Sequence, residues 1–239
     1  MDCDKRLVQA RLRRASKDTM SKTDNPQRFY LMLPPLEEPG DFPQRLADAL
    51  DKGDVACVLA PLAARDDGSA KKIVKALIAV TEPRGVALLI DNASLVARSG
   101  ADGAHIRVTG ETLEKTLDAA IEQLKPDRIV GAGGLKAKHD AMIAGEFDVD
   151  YVSFGDPAPD GYTPPIEQIV ERVSWWAEIF NVPCVAFAAS LADVATLSKA
   201  GADFVSLRDA IWNDPRGAGA AMAEAQALLE ANPSQVRIA

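Results

Sequence analysis

Residues 86–108 read VALLIDNASLVARSGADGAHIRV, in which two short apolar runs flank one amphipathic stretch. The first run, Val86–Ile90, lacks polar alternation, as expected of a parallel strand that is covered on both faces. Gly100 stands where a helix should end before the second run, Ala104–Val108. This stretch therefore predicts one strand–helix–strand unit of an α/β protein.

The same alternation recurs from Arg28 onward, with an apolar run roughly every 25 residues. The runs are Phe29–Leu33, Val55–Ala60, Val86–Ile90, Ala104–Val108, Arg128–Gly131, Tyr151–Phe154, Pro183–Phe187 and Phe204–Leu207. Eight strands that alternate with helices, without a linker, predict a single-domain (β/α)8 TIM barrel. An open doubly wound sheet is the alternative. Its usual glycine-rich loop after the first strand is absent, because Leu33-Pro34-Pro35 stands there.

The predicted barrel spans residues 28–230, which leaves an N-terminal extension at 1–27 and a C-terminal tail at 231–239. The extension has seven Lys or Arg residues and four Asp residues, but no apolar stretch and no small-residue cleavage site. It therefore lacks the features of a secretory signal. We expect a solvated tail or a short helix that lies on the domain, with a nucleic-acid or membrane arm as the alternative.

The composition argues against several classes of protein. The chain has 239 residues, with 27 basic and 35 acidic side chains and a net charge of −8, whereas a nucleic-acid-binding surface is usually basic. No apolar run approaches the roughly 18–20 residues that cross a bilayer, so no membrane partner is expected. Cys3, Cys57 and Cys184 show no metal-binding spacing and suggest a reducing compartment, which predicts a cytoplasmic protein.

In a (β/α)8 barrel, functional side chains gather at the carboxyl ends of the strands and in the loops that follow. The charged residues there are Asp91, Arg107, Lys136, Asp156, Arg208 and Asp209, and Gly133 and Gly134 follow the fifth run. Three carboxylates and three cations are therefore predicted around one opening. Structural roles are the alternative, since Asp91 and Asn92 also suit the cap of the next helix and strand-end glycines need no ligand.

Four segments carry a resemblance to one family. Residues 100–106 (GADGAHI), 150–155 (DYVSFG, followed by Pro159), 182–186 (VPCVA) and 200–205 (AGADFV, leading to Ala210-Ile211) resemble segments on the fourth, sixth, seventh and eighth strands of thiamine phosphate synthases. Their order and spacing agree over most of residues 28–230. The chain is identified as a divergent member of this superfamily, which also includes thiazole tautomerases.

The resemblance implies a transferase of thiamine biosynthesis that joins a pyrimidine diphosphate to a thiazole phosphate and releases diphosphate with the help of Mg²⁺. The ligand is then a small phosphorylated heterocycle. Of the strand-end residues, Asp91 and Lys136 are the expected catalytic groups, Asp91 the metal ligand, and Arg107, Gly133, Gly134, Asp156, Arg208 and Asp209 the substrate-binding groups. Arg107, Lys136 and Arg208 are basic groups that the family pattern does not contain. Lys136 and Arg208 would neutralise phosphate, and Asp156 or Asp209 would orient the ring.

Several positions depart from the family pattern. The Gln-x-Arg-x-Lys motif of the second strand falls on Val58, Ala60 and Leu62, so both of its cations are missing. The other departures are Ile90 for an asparagine, Thr109-Gly110 for the acidic end of the fourth-strand segment, Gly133 for a serine, Ala188-Ala189 for a Gly-Gly phosphate loop and Asp209 for a serine. Loss of two cations and a carboxylate lowers a rate by roughly several powers of ten. The alternative to an enzyme with an atypical site is therefore a catalytically degenerate member that binds the phosphorylated heterocycle without turnover.

The remaining candidates for chemistry favour structural roles. His105 is expected to be a hydrogen-bonded packing residue, and Cys57 and Cys184 read as small core residues. Trp175 and Trp176 are adjacent on the predicted sixth helix, so at least one ring should point away from the side of the helix that faces the core. That ring is either a homodimer contact or an ordinary partly exposed tryptophan.

Overall fold

The computed structural model describes residues 26–108 and 112–234. Eight parallel strands pair in chain order and close into a barrel. They are β1 (Arg28–Met32), β2 (Val55–Ala60), β3 (Ala87–Ile90), β4 (Gly103–Arg107), β5 (Ile129–Gly133), β6 (Tyr151–Phe154), β7 (Cys184–Ala188) and β8 (Phe204–Leu207). The predicted single-domain (β/α)8 barrel is confirmed. The open-sheet alternative is wrong, because β1 pairs with β8 as well as with β2.

Within the described chain, one helix follows each of the first seven strands and two follow the eighth. They are α1 (Phe42–Leu50), α2 (Asp67–Thr81), α3 (Ala93–Ser99), α4 (Leu113–Leu124), α5 (Lys138–Glu146), α6 (Ile166–Ile179), α7 (Asp193–Lys199), α8 (Asp209–Trp212) and α9 (Ala218–Glu230), with a 3₁₀ turn at Glu82–Arg84. Gly100 ends α3 in the left-handed conformation, with a φ of 86°. The sequence-predicted stop of this helix is thereby confirmed, and the turn leads directly into β4.

The predicted strand bounds agree closely with the structure. Those of β2, β6 and β8 coincide, and the other strands differ by one or two residues at an end. The strand β5 extends to Gly133 instead of Gly131, because Arg107 of β4 still pairs with Gly133. This difference matters for the site, since it places Gly133 inside the sheet at the mouth of the barrel.

Two apolar layers hold the barrel together. The larger layer lies between the sheet and the helices and includes Val58 and Ala60 of β2. The smaller layer fills the barrel interior and includes Tyr30, Cys57 and Leu59. Since successive side chains of a strand point to opposite faces, one set packs against the helices and the other points into the barrel. Burial of both faces explains why the strands read as apolar runs without alternation.

The segment before β1 is joined to the segment after α9 through one glutamine. Gln27 Nε2 donates to the Ser198 carbonyl at 3.1 Å, and Gln27 Oε1 accepts from the Ser198 hydroxyl at 2.6 Å and from the Ser234 N–H at 3.0 Å. Residues 1–25 of the predicted extension and 235–239 of the tail lie outside the described residues, as do Thr109 and Gly110. Across the described residues, no helix is both long and apolar enough to cross a membrane.

Candidate active site

The charged residues that the sequence predicts at the strand ends lie at one mouth of the barrel. Asp91 directly follows β3, Arg107 ends β4, Lys136 and Asp156 lie in the loops after β5 and β6, and Arg208 and Asp209 follow β8. Because the strands are parallel and closed, their carboxyl ends share one opening. The structure therefore brings all six residues to the same end of the molecule, although their contacts differ.

A hydrogen-bonded chain of side chains runs through the barrel interior below the mouth. His105 of β4 is buried, and its Nδ1 lies 2.9 Å from the Tyr151 hydroxyl of β6. The Tyr151 hydroxyl lies 2.9 Å from the Tyr30 hydroxyl of β1. Burial raises the pKa of both tyrosines well above its ordinary value, so both hydroxyls keep their protons. The expected hydrogen-bonded role of His105 is confirmed.

Asp156 connects this chain to the mouth. Its Oδ2 lies 3.4 Å from His105 Nε2 and accepts the Gly134 N–H at 3.2 Å, and its Oδ1 accepts the Ser153 hydroxyl. Burial acts to raise the pKa of Asp156, but the hydrogen bond and charge of His105, with the Ser153 hydroxyl, hold that pKa below its ordinary value. The Asp156 side chain is only 1% exposed. In this geometry Asp156 orders neighbouring protein groups and does not face an incoming ring.

The two glycines at the end of β5 leave the space that this network needs. A Cβ on Gly133 would lie 2.3 Å from both Asp156 Oδ2 and His105 Nε2, and a Cβ on Gly134 would lie 2.9 Å from Arg107 Cγ. Gly134 also has a φ of 77°, a conformation that favours glycine. Gly133 stands in place of a serine because the His105–Asp156 pair occupies the room for a side chain. The Gly134 N–H, expected near a phosphate, donates to Asp156.

Arg107 and Lys136 differ in what they contact. Arg107 Nη2 donates to the Pro157 carbonyl at 2.6 Å, so its guanidinium bridges β4 and the loop after β6. Its positive charge also helps to lower the pKa of Asp156. Lys136 is exposed in the loop between β5 and α5 and forms no salt bridge within the described part of the chain. Arg107 therefore connects the end of β4 to the loop after β6, whereas Lys136 is available to a ligand.

Arg208 and Asp209 pair with each other after β8. Arg208 Nη2 lies 2.8 Å from Asp209 Oδ2, and the guanidinium lies 6.0 Å from the centre of the Phe187 ring. Within the described structure, Arg208 Nε is buried and has no hydrogen-bond partner. An unpaired buried donor costs free energy that a bound anion would recover. Arg208 therefore keeps one buried donor without an acceptor among the described residues, and Asp209 is its counter-ion.

The second strand presents no charge to the mouth. Val58 and Ala60 pack in the layer between sheet and helices, whereas Cys57 and Leu59 face the barrel interior. Assigning the mouth-facing family motif to Val58 and Ala60 is therefore wrong, because those side chains are on the opposite face of β2. The missing cations are unaffected by this correction, since the barrel-facing residues are also uncharged.

A cavity of about 600 Å³ lies beside Asp91, between the ends of β2 and β3 and helices α2 to α4. Asp91 Oδ1 accepts the Leu62 N–H at 3.1 Å, which ties the two strand ends together. Packing around the Asp91 carboxylate raises its pKa. Arg65 lines the same cavity. Sequence reasoning missed Arg65, because a loop that reads Arg-Asp-Asp resembles ordinary surface charge.

Asp91 is the metal ligand that the resemblance implies. Among residues 26–108 and 112–234, no three His, Cys, Asp or Glu side chains converge as a metal-binding group. Mg²⁺ usually binds proteins through one or two carboxylates, and water and substrate phosphates supply the other ligands. Asp91 fits this mode. The structure thus places one carboxylate, Asp91, at the strand end where the resemblance implies a metal ligand.

The fold and the mouth define a class of protein: (β/α)8 barrels whose strand-end cations and carboxylate suit a small phosphorylated ligand. The family model of thiamine monophosphate synthase matches residues 29–211. The chain belongs to that family, which confirms the resemblance seen in its sequence. The match covers all eight strands and ends within α8.

Curated relatives agree along nearly their whole length. The chain is 38% identical over 200 residues to the thiamine-phosphate synthase of Rhodospirillum centenum, which covers 82% of this chain and 95% of that protein. It is 33% identical over 213 residues to the thiamine-phosphate synthase of Erythrobacter litoralis, covering 86% and 98%. Both matches extend beyond any single strand-end motif.

Solved structures support the fold. A thiamine phosphate pyrophosphorylase from Pyrococcus furiosus superposes with a TM-score of 0.69 at 18% identity, covering 87% of this chain and 98% of the other. The (S)-3-O-geranylgeranylglyceryl phosphate synthase of Thermoplasma acidophilum gives a TM-score of 0.66 at 16% identity, covering 94% and 98%. At these identities the likeness concerns the barrel itself.

Proposed function

We propose that this chain catalyses the reaction of its family, in which a pyrimidine diphosphate is joined to a thiazole phosphate and diphosphate is released, in thiamine biosynthesis. The observation that carries the proposal is the family match over residues 29–211, together with 38% identity to a thiamine-phosphate synthase across 95% of that relative. It is the function that the sequence motifs predict. The enzyme is a transferase with an atypical active site.

The proposed site divides the two phosphorylated substrates between two parts of the mouth. The diphosphate lies beside Asp91, and the thiazole phosphate lies near Lys136 and Arg208. Charge-assisted hydrogen bonds from cations to phosphate oxygens are strong, and the buried, unpaired Nε of Arg208 supports such a contact. Asp209, which already pairs with Arg208, is the carboxylate left to orient a ring.

A Mg²⁺ ion is the cofactor of this proposal, and Asp91 is the residue that would hold it. When bound, the ion would neutralise charge on the departing diphosphate. Asp91 is suited to this task because its position is fixed by the hydrogen bond from the Leu62 N–H at 3.1 Å. No other metal ligand is proposed among the described residues.

A second candidate function is a module that binds a phosphorylated heterocycle without turnover. The uncharged barrel-facing side chains of β2, Cys57 and Leu59, favour it, because a departing diphosphate needs more positive charge than a bound one. Lys136 and Arg208 would suffice for binding. The two candidates differ in whether product forms.

A paired measurement separates them. Thermal unfolding of the purified protein is followed with each substrate, with and without Mg²⁺, and turnover is assayed on the same sample. The synthase predicts a ligand-dependent rise in melting temperature and formation of thiamine phosphate. A rise in melting temperature without product would support the binding module. No shift and no product would leave a resemblance of fold alone.

Location and assembly follow as lesser parts of the proposal. A cytoplasmic location agrees with the wide spacing of the three cysteines, of which Cys57 and Cys184 are buried. The homodimer stays a prediction. Trp176 is fully buried, and Trp175 packs on Phe180 with ring centres 5.3 Å apart, so each ring has a partner within its own chain.

A further inference from the structure

The β2 side of the mouth lacks a cation in the strand itself. Its barrel-facing residues, Cys57 and Leu59, are uncharged, and Asp91 of the adjacent strand end contributes negative charge. A diphosphate beside Asp91 would be repelled by that carboxylate unless positive charge is supplied nearby. The loop that connects β2 to α2 contains one such charge, Arg65.

The backbone holds this loop against Asp91. The Leu62 N–H donates to Asp91 Oδ1 at 3.1 Å, and Leu36 and Leu62 form a bridge between the loops after β1 and β2. Arg65 follows three residues later and lines the same cavity of about 600 Å³ as Asp91. A cavity of roughly 300–1,000 Å³ is the usual size for a small-molecule ligand. Apolar residues of the layer between sheet and helices, such as Leu95 and Ile106, line the cavity together with these charged groups and with α4, so the cavity lies beside the mouth among the helices.

Two further carboxylates line the cavity, and both are occupied within the protein. Asp66 caps α2, accepting the Ser69 N–H at 2.9 Å. Asp67 forms a salt bridge of 2.8 Å with Arg98. Arg65 is exposed and forms no salt bridge with any residue in 26–108 or 112–234. Of the charged groups around the cavity, Arg65 is therefore the cation left to a ligand.

We propose that Arg65 binds the diphosphate group of the substrate in this cavity and supplies the positive charge that β2 lacks. The inference rests on the proposed synthase function. In that reaction the bond between the pyrimidine methylene carbon and the diphosphate oxygen breaks, and its electron pair leaves with diphosphate. The thiazole supplies the electron pair of the new bond to that carbon. Arg65 stays protonated throughout and stabilises the departing anion.

Titration calorimetry with inorganic diphosphate in Mg²⁺-containing buffer tests the role of Arg65. Arg65→Gln should weaken diphosphate binding about 10-fold to 100-fold, the range expected for one charge-assisted hydrogen bond. Arg65→Lys should retain part of the affinity, because it keeps the charge but loses the planar fork. The control is Arg84→Gln, since Arg84 lies at the other end of α2 and pairs with Asp51 at 2.8 Å. It should bind diphosphate like the wild type.

The outcomes separate this inference from the proposed function. Equal affinities of wild type and Arg65→Gln, or no binding of diphosphate by the wild type, would overturn the role of Arg65. Product formation by the wild type would leave the synthase function standing in either case. Arg65-dependent binding of diphosphate without any turnover would uphold Arg65 as the anion ligand and reject the synthase. Thermal unfolding of Arg65→Gln serves as the folding control, because its exposed side chain should not change the melting temperature.

Discussion

The charged groups on the two sides of the barrel mouth differ in burial. We call the β4–β6 side the closed side and the β2–β3 side the open side. On the β4–β6 side, Asp156 contacts His105, Ser153 and the Gly134 N–H, and its side chain is almost wholly buried. On the β2–β3 side, Asp91 and Arg65 border an open cavity. A group whose partners lie within the protein adds order, whereas a group beside a cavity is available to a ligand. Charge at a strand end therefore does not by itself define a binding site.

The largest expected loss of stability comes from removing the buried carboxylate of Asp156 on the closed side. Asp156→Ala leaves the Ser153 hydroxyl and the Gly134 N–H without their acceptor and removes the carboxylate beside the buried His105 ring. A buried donor left without its acceptor costs about 1–3 kcal/mol, and more than one donor loses its acceptor here, so we expect a loss of about 3–5 kcal/mol of stability. Urea unfolding of wild type and variant measures the difference. Asp160→Ala is the control on the same loop, where an exposed carboxylate accepts the Tyr162 N–H and its loss should cost less than about 1 kcal/mol.

Equal losses of unfolding free energy for Asp156→Ala and Asp160→Ala would show that the buried contacts of Asp156 stabilise the protein no more than an exposed hydrogen bond does. The closed side would then be no different from solvated surface charge, and the comparison between the two sides would fail.

A smaller loss is expected from adding a side chain to the closed side. Gly133→Ser introduces a Cβ 2.3 Å from both Asp156 Oδ2 and His105 Nε2, so both must move. Overpacking of this kind costs about 1–3 kcal/mol. Gly40→Ser is the uncrowded comparison, because a Cβ there would meet no atom within 4 Å and only the φ of 51° opposes it. A Gly133→Ser protein as stable as the wild type would show that the His105–Asp156 pair does not require glycine.

The smallest effects concern pH, and the two sides should respond with opposite sign. The pKa of Asp156 is lowered by folding, so its stabilisation is present above its unfolded pKa and is lost as pH falls through the folded value. The pKa of Asp91 is raised, so its contribution is present below its unfolded pKa and is lost as pH rises through the folded value. Unfolding between about pH 3 and pH 7 measures both.

Relative to wild type, Asp156→Asn should flatten the acid loss of stability, and Asp91→Asn should slightly raise stability at neutral pH. The Asp91 effect should be within about 0.5 kcal/mol, because the residue is at the surface. Curves of both variants that run parallel to the wild type would contradict the assignment of these two carboxylates to different environments.

Much of the fold is accessible from sequence because strands buried on both faces leave apolar runs, and Gly100 marks a helix end that the structure confirms. The residues at the mouth follow from strand order alone. The face of β2 does not, since the run VACVLA has no polar residue to mark which side points into the barrel. For that reason the motif comparison puts Val58 and Ala60 on the wrong face.

Contacts between distant segments are also beyond the sequence. Asp156 lies 51 positions after His105, and nothing in either segment indicates that the two side chains meet at 3.4 Å. Because the two side chains meet, Asp156 is buried, although the sequence predicts it as a substrate-binding residue. The sequence does not single out Arg65, because the cavity that Arg65 lines exists only in the folded chain.

Hydrogen exchange measured by mass spectrometry, with and without inorganic diphosphate and Mg²⁺, tests most directly whether the ligand binds on the open side. We expect slower exchange at residues 61–70 and 91–95, which border the cavity, and little change at 150–157 on the closed side. Slower exchange confined to 133–136, 150–157 or 208–213, with none at 61–70, would contradict the account and place diphosphate on the other side of the mouth.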